Sequence, residues 1–178
     1  MTPRRSAFTL LEILVALAII ALVAGLVIPK LVEISGLELR SSVRRLAGAA
    51  RYAGDQAAVR KTPYRLRFDL EARAYRVEYL DGEIWQPDRA SLGGAVRLPH
   101  AVRIVSVETR GRGRKTDGEP WIEFYPKGYA ERAAVQVAAG EQRIFTVEIR
   151  PFDTRPRVHA GALELADADR LAAWPTSR

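Results

Sequence analysis

Phe8-Thr9-Leu10-Leu11-Glu12-Ile13-Leu14-Val15-Ala16-Leu17-Ala18-Ile19-Ile20-Ala21-Leu22-Val23-Ala24-Gly25-Leu26-Val27-Ile28, followed by Pro29, is the stretch whose reading decides the fold. At about 1.5 Å per residue, its roughly 21 residues make a helix about 31 Å long, the thickness of a bilayer core. Glu12 breaks the apolar run. A carboxylate costs on the order of 2.5 to 3.5 kcal/mol at the centre of a membrane helix and less near an end. Either Glu12 reaches the headgroup layer, or a partner compensates its charge.

The residues before the run favour a partner. Met1-Thr2-Pro3-Arg4-Arg5-Ser6-Ala7 is a short polar leader with two arginines that stay on the cytoplasmic side, and the small Ala7 stands directly before Phe8. Basic leader, small residue, Phe8, a glutamate at the fifth place counted from Phe8, and Pro29 near the end of the run together resemble the class III signal of type IV pilin-like proteins. The resemblance implies that a prepilin peptidase cuts between Ala7 and Phe8 and N-methylates Phe8. It also implies that Glu12 pairs with the N-terminal amine of a neighbouring subunit during assembly. Ala7 occupies a place where that family usually has glycine. The physics of the pairing is sound, because an ammonium within a few Å in a low-dielectric layer offsets the desolvation of a carboxylate. A conventional secretory signal has an apolar core of about 7 to 15 residues with its cleavage site behind it. Arg4-Arg5 as a twin-arginine signal would need Phe8 one place earlier.

The chain has 178 residues, a net charge of +7 carried mainly by arginine, and no cysteine. About 120 to 140 residues remain beyond the anchor, enough for one domain with its own core. Disulfides and thiolate metal sites are excluded, which says nothing about compartment. The positive charge suits an anionic partner but also serves solubility, so nucleic acid is the less favoured partner class.

Beyond Pro29, which is expected to bend the helix near the membrane surface, Leu39, Val43, Leu46, Ala50, Ala53 and Ala57 recur at spacings of four and three. That is one apolar helical face, with Arg40, Arg44, Arg45 and Arg51 largely on the others. Gly36 is a second weak point, and Gly48 and Gly54 either weaken the helix or allow close packing against a sheet. From Thr62 the period becomes two. Tyr64, Leu66 and Phe68, then Tyr75, Val77 and Tyr79, make two antiparallel strands joined around Asp69 to Arg73. Asp81-Gly82 is a turn leading to Ile84 and Trp85. Val102, Ile104 and Val107, then Trp121 to Tyr125 closed by Pro126-Lys127-Gly128, give further strands. Val135 and Val137 form a weaker strand, Phe145, Val147 and Ile149 a clear one, and a last strand is expected around Val158 to Leu165.

The reading is α+β: a long N-terminal helix, membrane-spanning first and amphipathic second, packed on an antiparallel β-sandwich. The divisions are a leader (1–7), a membrane and filament-core helix (8–29), its amphipathic continuation (30–60), a periplasmic β domain (61–166) and a tail (167–178). Within the pilin-like superfamily, this strand distribution and the run Ile122-Glu123-Phe124-Tyr125-Pro126-Lys127-Gly128 resemble the GspH/FimT group, the H-type minor pseudopilins of type II secretion and related minor pilins. The resemblance implies a structural subunit at or near the tip of a secretion pseudopilus, with other major and minor pseudopilins, the prepilin peptidase and the inner membrane as partners. The alternative it leaves open is a minor pilin of a type IV pilus, acting in assembly, twitching or DNA uptake.

Arg110-Gly111-Arg112-Gly113-Arg114-Lys115-Thr116-Asp117-Gly118 lacks apolar periodicity and is expected to be a mobile loop. Arg110, Arg112, Arg114 and Lys115 could follow a phosphate backbone, or the segment is a solvated hairpin. No aromatic side chain within it can stack on bases, which disfavours nucleic acid. His100 and His159 follow no ligand spacing, and no nucleophile elbow, phosphate loop or zinc helix is present. Asp167 and Asp169 lack the glycine turn and extra oxygens of a calcium loop. No enzymatic activity, cofactor or metal is therefore expected; a single-span membrane enzyme would need a site that the residues do not offer. Trp174 either packs or meets a partner, ahead of Pro175.

Overall fold

In a computed structural model of the chain, the described residues are 10–89, 94–140 and 143–166, with the backbone alone described at 24–35 and at Thr154. The chain divides into two units, residues 1–35 and 36–178. Helix α1 (Leu10–Arg60) is helical in backbone through Pro29. It stops where Lys61 adopts the left-handed conformation (φ 56°), the usual helix-ending geometry, and Pro63 forbids resumption.

In the second unit, the expected stripe is the buried face of α1. Leu39, Val43, Leu46, Ala50, Ala53 and Ala57 belong to one core cluster with Tyr64, Leu66, Phe68, Val77, Val135, Val137, Val147 and Ile149. Arg40, Arg44, Arg45 and Arg51 are exposed. The two helical glycines need correcting as packing devices. A Cβ at Gly48 would meet nothing within 4 Å, and one at Gly54 would make an ordinary 3.5 Å contact with the Phe124 ring, so neither position requires glycine.

Eleven strands form two antiparallel sheets among the described residues. The first contains β1 (Tyr64–Asp69), β2 (Ala74–Asp81), β3 (Ile84–Pro87), β4 (Val96–Arg97), β7 (Trp121–Tyr125) and β8 (Tyr129–Ala130), in the order β3-β2-β1-β7-β8, with β4 also pairing β2. The second contains β5 (Val102–Thr109), β6 (Gly113–Lys115), β9 (Ala133–Ala139), β10 (Arg143–Arg150) and β11 (Asp153–Ala160), in the order β11-β10-β9-β5-β6. Gly82 (φ 61°) opens the two-residue loop between β2 and β3, as Asp81-Gly82 suggested.

A register shift between Ile104 and Ser106 explains why Val102 and Ile104 are followed inward by Val107 rather than Ser106. The extra residue of a β-bulge inverts the alternation beyond it.

Three expectations change. The strand around Val135 is not weak: every residue of β9 is buried. The last strand is β11, not Val158 to Leu165. Past Ala160 the chain folds back over the outer face of the second sheet, where Thr146 Oγ1 donates to Gly161 O (2.8 Å) and accepts from Leu163 N (3.0 Å). Gln136 Nε2 donates to Leu163 O (3.3 Å) and Leu165 N to Glu108 Oε2 (3.2 Å). This strap buries the second face of β9 and satisfies polar groups that would be costly to bury unpaired. Third, Arg110 to Gly118 is not a structureless loop. It contains β6, paired with β5 through Val107↔Lys115 and Glu108↔Arg114.

Candidate functional site

The first candidate lies on the N-terminal unit. Glu12 sits in the first turn of the described helix, where a carboxylate complements the helix dipole. Around it Leu10, Leu11, Ile13 and Leu14 are 83, 72, 52 and 60% exposed, and apolar side chains stay exposed through Val23. Exposed apolar surface of that extent calls for lipid or partner helices. Among the described residues no helix is long and apolar enough to cross a membrane; the side chains of the apolar run are described only over residues 10–23, which rise about 21 Å. Ala7 and Phe8, the expected cleavage and methylation positions, lie outside the described residues, as do Asp167, Asp169 and Trp174. At Pro29 the backbone is helical.

The second candidate, the arginine segment, is engaged by its own chain. Arg112 Nη2 donates to Trp121 O (2.8 Å) and meets the Glu131 carboxylate, while its guanidinium lies 4.5 Å from the Trp121 ring centroid. Arg114 reaches Glu164 Oε1 (2.8 Å) and Gln136 Oε1 (3.0 Å). Two of the four cations proposed for an anionic partner are thus held by carboxylates, which lowers their attraction for phosphate. Arg110 and Lys115 are exposed.

In β1 and β2 the polar residues Arg65, Arg67 and Arg76 alternate with the inward apolar ones. On the outer face of the first sheet they build an ordered network. Glu78 is 2% exposed and takes Arg65 Nε and Arg76 Nε at 2.5 Å each. Arg65 is 4.3 Å from the Trp85 ring centroid and 5.8 Å from that of Trp121. Burial alone would raise the Glu78 pKa, but hydrogen bonds and charge from Arg76 and Arg65 carry it below the ordinary carboxylate value. Beside this network Glu123 accepts from Trp121 Nε1 (2.9 Å) and Tyr125 O–H (2.8 Å); burial, then Glu123, pushes Tyr125 to about 12. On the other sheet Glu148, 1% exposed, meets Arg150 (3.1 Å) and His159 (3.0 Å). His159 is thus a hydrogen-bonding partner of Glu148 on β11, and His100 lies exposed in a turn, its carbonyl accepting from Arg73 (2.9 Å). Only pairing register, which the sequence does not print, brings these charges together.

Comparison with known proteins adds two findings of different reach. Residues 2–28 match the prokaryotic N-terminal methylation motif. The fold is similar to that of a solved minor pseudopilin: a structure of EpsH from the type II secretion system of Vibrio cholerae matches with a TM-score of 0.56 at 15% identity, over 71% of this chain and 96% of that one. A second EpsH structure gives 0.53 at 13% identity, over 65% and 98%. A search of curated proteins found no significant match.

Proposed function

We propose that the chain is a minor pseudopilin of a type II secretion system, a structural subunit without enzymatic activity that helps move folded proteins across the outer membrane from a position at or near the pseudopilus tip. The observation that carries this reading is the methylation motif on residues 2–28 in the same chain as an EpsH-like pair of sheets. In this reading the prepilin peptidase removes residues 1–7 and methylates Phe8. Residues 8–29 hold the protein in the inner membrane and later the filament core, residues 30–60 and 61–166 stand in the periplasm, and Pro29 accommodates a bend. Other major and minor pseudopilins are the partners. Glu12 sets axial register, since its carboxylate is stabilised in an apolar layer by a neighbour's amine.

The direct test is N-terminal mass spectrometry of the protein from its native membrane: N-methylated Phe8 is expected, and an intact Met1 would sink the reading. Glu12→Gln should insert into the membrane normally but fail to enter cross-linked pseudopilus assemblies; incorporation at the wild-type level would refute the register role.

A further inference from the structure

One corner of the outer face of the first sheet holds arginine donors that no described residue uses. By register Ala74 lies between Asp69 on β1 and Arg97 on β4, and Arg67 stands opposite Arg76 one step along. The small Ala74 side chain leaves a depression, and these residues with Glu119 line a cavity of about 130 Å³, room for roughly four waters. Arg67 Nη2 meets Glu119, yet Arg67 Nε is buried with no hydrogen-bond partner among the described residues. Arg76 Nε is taken by Glu78 (2.5 Å). The Arg97 side chain is exposed and, among the described residues, makes no hydrogen bond, ion pair or ring contact.

An orphaned buried N–H costs about 1 to 3 kcal/mol in a protein interior, so a small rotation of the Arg67 side chain, which lines the cavity, gains Nε an acceptor there beside the Arg97 guanidinium. Counting the Glu78 pair that holds Arg76, four arginines (Arg65, Arg67, Arg76 and Arg97) face three carboxylates (Asp69, Glu78 and Glu119), leaving one positive charge unbalanced. A monoanion fits that balance, whereas a phosphate dianion would confront Asp69 and Glu119 with a second negative charge. The planar fork of arginine also matches a carboxylate's two oxygens.

We propose that this cavity is a carboxylate-binding site, in which Arg97 and Arg67 Nε receive one carboxylate of a polypeptide partner, either an acidic side chain or a chain's α-carboxyl end. The acidic group enters from the open face of the sheet, and Arg76, which lines the cavity, is held by the buried Glu78 that it shares with Arg65.

The test uses full-length protein in detergent micelles with ¹⁵N-labelled arginine, read at the Nε–Hε resonances. The probes are N-acetyl-aspartate amide for the side-chain source, N-acetylglycine for the terminal source, N-acetyl-asparagine amide as neutral control, and inorganic phosphate. Saturable shifts of Arg67 and Arg97 are expected with one or both carboxylates, and the stronger names the source. Arg97→Gln should weaken binding at least tenfold with an unchanged melting temperature. Arg97→Lys, which keeps the charge but not the fork, should fall between. No saturable shift with either carboxylate, an equal response to the neutral amide, tighter binding of phosphate, or full affinity in Arg97→Gln would each overturn the proposal.

Discussion

Glu78 shows how a residue's role changes between sequence and fold. In the alternating run of β2 it reads as a solvent-facing polar residue, yet two arginines and the two tryptophans beside Arg65 close over that position. A buried carboxylate that loses its charge leaves two guanidinium groups unbalanced, and breaking such a pair costs about 3 to 5 kcal/mol. Glu78→Gln is therefore expected to lower stability by about 3 kcal/mol at pH 7. The sign with pH follows from the lowered folded pKa: Glu78 contributes fully above the ordinary glutamate value and loses its contribution as pH falls through the lower, folded one. The urea stabilities of wild type and Glu78→Gln should accordingly begin to converge below about pH 4 and meet only once pH has fallen through the lower, folded value. A gap that persists unchanged into acid would show that the carboxylate's charge is not what Arg65 and Arg76 require. The Arg112–Glu131 and Arg114–Glu164 pairs were equally invisible in sequence, because each joins residues that only the strand order brings together.

At the scale of elements, the helix was the most legible part. Its apolar spacing named the buried face because α1 meets the sheets along one continuous stripe, and period 3.6 translates directly into that stripe. The strands were legible where one face met solvent, as in β1, and less so where neither did. In β9 both faces are covered, one by the core and one by the strap, so alternation is lost and Ala133, Ala134, Ala138 and Ala139 carry little hydrophobic signal. The strap itself has no period, and β11 runs earlier than its apolar residues suggest because its pairing to β10 is set by backbone register. The helix also yields a test. Gly48→Ala should raise stability by about 0.5 to 1 kcal/mol, since the added methyl meets open space and the helix interior disfavours glycine. Ala53→Leu, at a position with no exposed surface, should lower it by about 1 to 3 kcal/mol through overpacking. Thermal melts of the two variants separate these effects, and a stabilising Ala53→Leu would mean that the stripe is looser than the burial implies.

For the whole molecule, the two sheets expose different surfaces. Among the described residues, the strap crosses the outer side of the second sheet, and the first presents its arginine and aromatic face. The unit as a whole is also tuned in alkali by its tyrosines. Burial pushes Tyr52, Tyr75 and Tyr125 up to about 12, with Asp88 adding to the effect at Tyr52 and Glu123 at Tyr125, and burial raises Tyr64 as well. A phenol whose folded pKa exceeds its unfolded value gives stability that is complete below about pH 10 and is lost as pH rises through the folded value. Tyr75 is the clearest case. It is 1% exposed and its hydroxyl is buried without a hydrogen-bond partner among the described residues. Ionising it in place has no compensating donor, so its share of the loss between pH 10 and 12 is on the order of 2 to 3 kcal/mol. Tyr75→Phe removes both the ionisation and an unpaired polar atom while keeping the ring's contact with Phe68. Its stability at pH 7 should equal or exceed that of wild type. Between pH 10 and 12 it should lose visibly less, because the unfolded chain no longer gains from releasing that proton. Urea midpoints at pH 7, 10 and 11 in detergent-solubilised full-length protein check both halves. Parallel decline of the two proteins would place the alkaline weakness in the other three tyrosines, and a destabilised Tyr75→Phe at pH 7 would mean that the hydroxyl has a partner.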